Sequence, residues 1–308
     1  MGNRDIGGRN KPLYMNDVLY LVDQPALVEF CTGLRGESWL ALDTEFIREQ
    51  TYYPQLCLIQ VASTDQIACI DPLALPSLDP LLEVLYDPTV TKVLHAAYQD
   101  LEIFYYLRGA VPMPIFDTQL AASVLGYGNQ VGYANLVQQM LGVELEKTHT
   151  RADWRRRPLP SAWLTYAADD VRYLQEIYLR QQVMVTERGG MEALAEDFTA
   201  LADPVRYQPQ PQEAWRRIRE HQRLRGVQRA VLRALAAWRE EQAIRNDRPR
   251  RWILHDGPLL ELARRMPDDV DGLARIHELP PATLRRHGSE LLERIAAARA
   301  EPPEQWPV

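Results

Sequence analysis

The sequence contains little cysteine, little lysine and no long apolar run. Its three cysteines, Cys31, Cys57 and Cys69, show no CxxC spacing, so a disulfide scaffold is excluded and a structural zinc site is not indicated. We expect them to be small buried residues in a reducing compartment. No segment approaches the roughly 18 apolar residues of a membrane span, and the N-terminus lacks the apolar core of a secretory signal. These absences predict a cytoplasmic protein.

Familiar catalytic motifs are missing as well. The chain contains no GxxxxGK[ST], no HExxH and no GxSxG. The glycines of GYGNQVG, residues 126–132, have the wrong spacing for a dinucleotide-binding loop, and we interpret them as helix caps and a turn. The candidate functional residues that remain are the carboxylates and the arginines.

The 308 residues predict about two domains. Short β-rich runs dominate residues 38–97, and helical periodicity follows, which predicts an α/β domain over 1–205 with a mixed sheet flanked by helices. After a segment rich in proline and glutamine, residues 213–302 predict a small all-α bundle.

Several elements are predicted individually. The run SWLALDTEF is apolar nearly throughout, as expected for a central strand covered on both faces. Asp65 and Gln66 form a predicted tight turn between two antiparallel strands. Residues 161–189 are predicted to form one long helix, and residues 215–224 a helix of the bundle.

Charge is distributed unevenly along the chain. Residues 1–120 hold 7 basic and 16 acidic side chains, whereas residues 214–251 hold 12 arginines and 4 acids, although the net charge of the whole chain is −7. Arginine suits bidentate phosphate contacts, so the basic segment predicts a nucleic-acid-binding bundle. Two alternatives are that many of these arginines only face solvent, and that the bundle only packs against the first domain.

Two pairs of residues have spacings that match the local structure. Asp43 and Glu45 are two apart on an apolar strand, so both carboxylates lie on one face. Burying two acids is costly unless they hold cations; the alternative is that DTEF lies at an exposed strand end. Tyr166 and Asp170 are four apart on a helix and share a face, which alone is more typical of a surface pair.

Three further residues have simple structural explanations. Asp100 and Asp117 each stand near the start of a helix, where an acid is expected as an N-cap. A lone histidine at a strand end, His95, is interpreted as structural. Taken together, however, the carboxylates of one α/β domain form a set of oxygen ligands suited to Mg²⁺ or Mn²⁺. Two such ions, about 4 Å apart, catalyse phosphodiester hydrolysis.

At these residues the sequence resembles the DEDD exonuclease superfamily, tyrosine subclass, and more closely the bacterial ribonuclease D family. The three matching motifs are LALDTEF, HAAYQDLE and LTYAADDVRYL, in that order. The stretch LEKTHTRADWRRRPLP is also similar, and residues 213–302 resemble the helicase-and-ribonuclease-D C-terminal (HRDC) domain. One departure is the length, which allows a single C-terminal helical domain where the family often has two.

The resemblance implies a ribonuclease-H-like fold and a role for each site residue. Asp43, Glu45 and Asp170 would hold one divalent ion, and Asp43 would bridge to a second ion held with Asp100. Tyr166 would orient the attacking water. A basic loop before the catalytic helix is predicted to contact the nucleic acid, with solvated charge as the alternative. Its residues are Lys147, Arg151, Trp154 as a base-stacking residue, Arg155, Arg156 and Arg157.

We therefore expect a 3′-to-5′ exoribonuclease that uses two Mg²⁺ or Mn²⁺ ions and releases nucleoside 5′-monophosphates. Its expected partner is RNA with a free 3′ end, tRNA precursors being the family's usual substrate; no membrane and no protein partner is indicated. The alternatives are a DNA exonuclease of the proofreading or repair type and a non-catalytic RNA-binding scaffold. Contacts to the 2′-hydroxyl separate RNA from DNA, and a sequence does not display them.

Overall fold

The computed structural model describes residues 13–15, 17–145 and 152–307 of the chain. Its residues divide into two compact units. The first comprises Met1–Ile47 with Gln55–Tyr207, and the second comprises Arg48–Pro54 with Gln208–Val308.

The first unit is built on a mixed sheet. Within the described residues the strands are β1 (Leu13–Met15), β2 (Val18–Leu21), β3 (Trp39–Ile47), β4 (Gln55–Ala62), β5 (Ile67–Ile70), β6 (Thr91–Leu94) and β7 (Ile115–Asp117). Their spatial order is β1-β2-β5-β4-β3-β6-β7. The pairs β1/β2, β4/β5 and β3/β4 are antiparallel, whereas β2/β5, β3/β6 and β6/β7 are parallel. The predicted α/β class is confirmed.

Apolar side chains cover both faces of β3. Leu40 and Leu42 belong to one buried cluster, and Trp39 and Ala41 belong to another. Because side chains alternate along a strand, the face of Trp39 and Ala41 continues through the two acids that follow them at the same spacing. Helices cover the sheet: α1 (Gln24–Gly33), α2 (Asp79–Leu85), α3 (Tyr98–Arg108), α4 (Thr118–Leu125), α5 (Tyr133–Leu141), α6 (Ser161–Arg172), α7 (Leu174–Glu187) and α8 (Met191–Ala202).

Two predictions about the first unit have opposite outcomes. The hairpin at Asp65 and Gln66 is confirmed, because β4 and β5 pair antiparallel and the Ser63 amide donates to the Gln66 carbonyl at 2.9 Å. The single helix over residues 161–189 is wrong, because the chain turns at Tyr173 between α6 and α7. The turn lets α6 pack on β3, β4 and β5 while α7 packs on α4 and α5.

The second unit is a helical bundle, as predicted. Its α-helices are α9 (Val227–Arg245), α10 (Arg250–Ile253), α11 (Asp256–Arg265), α12 (Val270–Ala274) and α13 (Pro281–Ala300). The predicted helix over 215–224 is wrong, since this stretch consists of the 3₁₀ turns Pro211–Arg217 and His221–Arg223. Trp215, Ile218 and Leu224 are buried there at spacings that are multiples of three, which matches three residues per 3₁₀ turn.

The three cysteines are free and buried, as expected. Among the residues that the structure describes, none of the helices combines the length and the apolar character that crossing a bilayer requires.

Candidate active site

Strand β3 and helix α6 supply the first group of site residues. Asp43 and Glu45 lie on one face of β3, and α6 packs against the same strand. Tyr166 and Asp170 stand one turn apart on α6, as their spacing predicts. Asp43, Glu45 and Asp170 each have an oxygen that lies within 4.8 Å of the others.

These side chains open into a pocket of about 260 Å³. The pocket is lined by Asp43, Thr44, Glu45, His95, Tyr133, Tyr166, Asp170 and Leu174. In the described parts of the chain, no lysine or arginine forms an ion pair with the carboxylates of this pocket. No cation of residues 17–145 or 152–307 therefore compensates their negative charge, and hard oxygen ligands of this kind fit a divalent cation.

Burial and mutual repulsion change the proton affinity of the cluster. Burial, followed by the charges of Asp100, Asp170 and Glu45, raises the pKa of Asp43 well above its usual range. Burial raises the pKa of Glu45 to about 8 and that of Asp170 to about 7. Each shift favours the uncharged carboxyl, and a bound proton or metal ion would offset the buried negative charge.

Asp100 is linked by a hydrogen bond to β3, the strand that carries Asp43 and Glu45. It is the third residue of α3, whose cap position is Ala97, so the N-cap interpretation of Asp100 is wrong. Its buried carboxylate accepts a hydrogen bond of 2.5 Å from the Thr44 hydroxyl. Burial raises the pKa of Asp100 to about 7. Asp100 thus lies beside the strand that carries the other acids, although it does not line the pocket.

The start of α3 is fixed by Asp117, whose N-cap interpretation is confirmed. The Asp117 carboxylate accepts from the amides of Gln119 and Leu120 at the start of α4. It also accepts from the amides of Ala96 and Ala97, at 3.1 and 2.9 Å. Ala96 has a φ of +58°, which is strained for a residue with a side chain and is held by these bonds. The Asp117 cap therefore sets the turn from β6 into the helix of Asp100.

Two residues that the sequence did not single out for chemistry form another wall of the pocket. His95 Nε2 donates to the Val131 carbonyl at 2.9 Å, and its Nδ1 lies 2.9 Å from the Thr118 hydroxyl. Tyr133 donates to the carbonyl of Asp169, the residue before Asp170. The structural interpretation of His95 agrees with these bonds. Of these two residues, only His95 could have been found from the sequence. It directly follows strand β6, which pairs with the strand of Asp43 and Glu45.

The basic loop needs two corrections. Trp154 is only 3% exposed and packs against Trp163 and Tyr166, so its predicted role as a base-stacking residue is wrong. Arg157 forms a bidentate ion pair with Asp71, whose side chain is fully buried, and donates to the Cys57 and Trp154 carbonyls. The guanidinium of Arg157 is thus committed to protein groups rather than to phosphate.

The remaining residues of the loop differ in their surroundings. Arg155 pairs with Asp153 at the surface, and Arg156 is exposed. Their predicted nucleic-acid contacts stay predictions. Lys147 and Arg151 lie outside the described residues.

We expect Arg157→Met to destabilise the first unit by roughly 3–5 kcal/mol, because it leaves the Asp71 carboxylate buried without its cation. Arg156→Ala is the matched control and should change the free energy of unfolding by less than about 0.5 kcal/mol. Urea denaturation followed by tryptophan fluorescence measures both. Equal stability of the two variants would contradict the structural role of Arg157.

Comparison with known proteins agrees with this geometry. A family model described as a 3′-5′ exonuclease matches residues 20–185, and one described as an HRDC domain matches residues 228–295. A mixed sheet that presents clustered carboxylates, followed by an HRDC bundle, defines the class: a 3′-to-5′ exonuclease. Such enzymes use divalent metal ions. The structure of Brucella melitensis NrnC with bound Mg²⁺ is similar to this chain, with 25% identity, coverage of 61% of this chain and 90% of that chain, and a TM-score of 0.51.

Relatives of higher sequence identity identify the family within this class of exonucleases. Ribonuclease D of Gluconacetobacter diazotrophicus is 45% identical over 275 residues, which span 87% of this chain and 69% of the relative. The crystal structure of Escherichia coli RNase D, an exoribonuclease involved in structured RNA processing, is 36% identical, covers 96% of this chain and 78% of that chain, and has a TM-score of 0.83. The chain belongs to the ribonuclease D family and is a 3′-to-5′ exoribonuclease, which confirms the resemblance.

Proposed function

We propose that this exoribonuclease trims the 3′ ends of structured RNA, tRNA precursors among them, by two-metal hydrolysis. The observation that carries the proposal is the convergence of Asp43, Glu45 and Asp170 within 4.8 Å, without a protein cation among the described residues. The involvement of the similar E. coli enzyme in structured RNA processing supports the choice of substrate.

The residues present suit two divalent ions, either Mg²⁺ or Mn²⁺. Asp43, Glu45 and Asp170 would hold one, and Asp43 and Asp100 would hold the other. When bound, the ions supply activation of water and stabilisation of the leaving oxygen. The water oxygen bonds to phosphorus, the bond from phosphorus to the 3′ oxygen of the preceding nucleotide breaks, and that oxygen leaves with a proton. A nucleoside 5′-monophosphate is released.

The protein's own part is to position these groups. Tyr166 lines the pocket, and its hydroxyl would orient the attacking water. Trp154 stacks behind the Tyr166 ring, with 6.4 Å between ring centroids, and limits its rotation. The hydrogen bond from Tyr133 to the Asp169 carbonyl fixes the helix beside Asp170. These supports keep the site geometry before substrate binds.

The test is a product analysis with matched substrates. An RNA hairpin with a single-stranded 3′ tail, the same RNA with a 3′-phosphate, and the DNA of the same sequence are each incubated with Mg²⁺. We expect 5′-monophosphates from the free RNA end and little product from the other two. Preferred hydrolysis of DNA would support the repair-type alternative, and absence of hydrolysis would support the scaffold. A tRNA precursor with a 3′ trailer, compared with the mature tRNA, tests the substrate.

The raised carboxyl pKa values predict how metal binding varies with pH. Without metal, protons bound by Glu45, Asp100 and Asp170 stabilise the fold, so we expect Tm to fall as pH rises from about 4.5 to 8. Mg²⁺ competes with these protons, and its stabilising effect should therefore be larger at pH 8 than at pH 6.

Thermal unfolding in EDTA and in Mg²⁺ at both pH values measures this difference. Asp43→Asn is the control and should show a smaller Mg²⁺ shift. An Mg²⁺ shift that is the same at both pH values would contradict proton competition at the cluster.

A further inference from the structure

Strand β4 carries a buried glutamine beside the acids of the site. Gln60 is 0% exposed, and in the antiparallel pairing of β3 with β4 it lies directly opposite Asp43. Side chains of directly opposed residues project from the same face of a sheet, with their Cβ atoms about 5 Å apart. Gln60 is therefore the cross-strand neighbour of Asp43 on the acidic face of the sheet.

The side-chain amide of Gln60 is unusual because neither of its polar atoms is hydrogen-bonded. Its nitrogen and its oxygen are both buried without a hydrogen-bond partner in the part of the chain that the structure describes. Buried polar groups nearly always have a partner, because an unpaired group loses its bonds to water without replacement. A methionine or a leucine would fill similar space without that loss, so packing alone does not explain a glutamine at this position.

Gln181 shows the ordinary use of a buried glutamine. It is also 0% exposed, and its Nε2 donates to the Thr118 carbonyl at 3.0 Å, which ties α7 to the first residue of α4. Gln60 makes no such bond to a residue of the described ranges. The Gln60 amide is thus a hydrogen-bond donor that this part of the fold does not use.

The neighbours of Gln60 indicate which group can accept from its amide. Along the same face of β4, the residues two positions away on either side are apolar and buried. Its cross-strand neighbour on β5 is Cys69, whose thiol donates to the Leu164 carbonyl of α6 at 3.7 Å. Its cross-strand neighbour on β3 is Asp43, whose carboxylate is a strong acceptor. Of the two cross-strand neighbours, Asp43 is therefore the one suited to the amide.

We propose that Gln60 is a positioning residue for metal binding, whose side-chain amide donates to the Asp43 carboxylate and holds it in the orientation that binds a divalent ion. The inference rests on the proposed metal site. Carboxylates that bind metals are themselves hydrogen-bonded, and these supporting bonds fix the direction of the ligand. Gln60 does not line the pocket, so it would act through Asp43 and would not contact the ions or the RNA.

The test measures binding of Mn²⁺ to the full chain without RNA, from the electron paramagnetic resonance signal of the free ion. In Gln60→Met, which keeps a similar volume and loses the amide, we expect the Kd of Mn²⁺ to rise at least about tenfold. Gln60→Leu should show a similar rise, so that the result does not depend on how one replacement packs. Gln181→Met is the matched control, because it removes another fully buried amide, and it should keep the parental Kd.

Thermal unfolding in EDTA separates a positioning role from a purely structural one. Gln60→Met no longer buries an unpaired amide, so we expect its Tm to equal or exceed that of the parent. A lower Tm together with the parental Kd for Mn²⁺ would mean that Gln60 supports the fold alone, and would overturn the proposal. A parental Kd in both Gln60 variants, or an equal rise in Gln181→Met, would also overturn it.

Hydrolysis of a tailed RNA hairpin over a series of Mg²⁺ concentrations gives a second measurement. In Gln60→Met the Mg²⁺ concentration at half-maximal rate should rise about tenfold, whereas Gln181→Met should keep the parental value.

Asp43→Asn distinguishes failure of this inference from failure of the proposed metal site. If the parent binds Mn²⁺ and Asp43→Asn weakens that binding while the Gln60 variants do not, this inference alone is wrong. If the parent binds no Mn²⁺, or Asp43→Asn leaves binding unchanged, the proposed metal site is wrong and the role of Gln60 is rejected with it.

Discussion

Asp43→Asn is expected to reduce exonuclease activity by on the order of 10³-fold or more, which corresponds to about 4 kcal/mol in the barrier. In the proposed mechanism Asp43 contacts both ions, and an amide offers only one neutral oxygen. Release of 5′-monophosphates from a tailed hairpin, measured at saturating Mg²⁺, gives the effect. Asp169→Asn is the matched control, because Asp169 is on α6 beside the cluster but pairs with Arg172. An active Asp43→Asn enzyme would reject the two-metal assignment.

The same substitution should leave the fold intact and stabilise the metal-free protein. Asp43 is half-buried, and its charge is opposed by Asp100, Asp170 and Glu45, so loss of that charge relieves repulsion. We expect Tm in EDTA to rise above that of the parent at pH 8, which lies above the pKa values of about 7 of Asp100 and Asp170. A lower Tm would mean that the inactivity of the variant reflects damage to the fold.

The convergence of the acids could be predicted because it follows from two local spacings, one along a strand and one along a helix. A spacing of two on a strand puts Asp43 and Glu45 on one face, and a spacing of four on a helix puts Tyr166 over Asp170. Neither period depends on the rest of the chain. The order of strands and helices then requires only that α6 cover the acidic face of β3, which is the packing that the structure shows.

The wrong predictions are of two kinds. Some concern contacts between residues that are distant in sequence, and one concerns a helix end that local composition does not show. Arg157 and Asp71 are 86 residues apart, and nothing in a basic run indicates that one arginine meets a buried acid. Trp154 stands among arginines, which predicts a nucleic-acid contact, whereas the structure buries it against the helix of Tyr166. The turn at Tyr173 was also unpredictable, since tyrosine is compatible with a continuing helix.

Tyr166→Phe is expected to slow hydrolysis on the order of 10²-fold, while Mg²⁺ binding and RNA affinity stay close to those of the parent. The substitution removes the hydroxyl that would orient the water and keeps the ring that packs against Trp154. Single-turnover rates with a tailed hairpin measure the effect. Tyr173→Phe is the control, because it removes a hydroxyl at the end of the same helix, where the side chain does not line the pocket.

The pH profile distinguishes water orientation from proton transfer by Tyr166. Burial, followed by the charges of Asp170, Glu45 and Asp43, raises the pKa of Tyr166 above its ordinary value, so its hydroxyl stays protonated between pH 6 and pH 9. A residue that stays protonated adds no inflection to the rate profile in that range. Tyr166→Phe should therefore lower the whole profile without changing its shape. Loss of an inflection in the variant would instead assign Tyr166 a role as a general acid or base, and an unchanged rate would remove it from the mechanism.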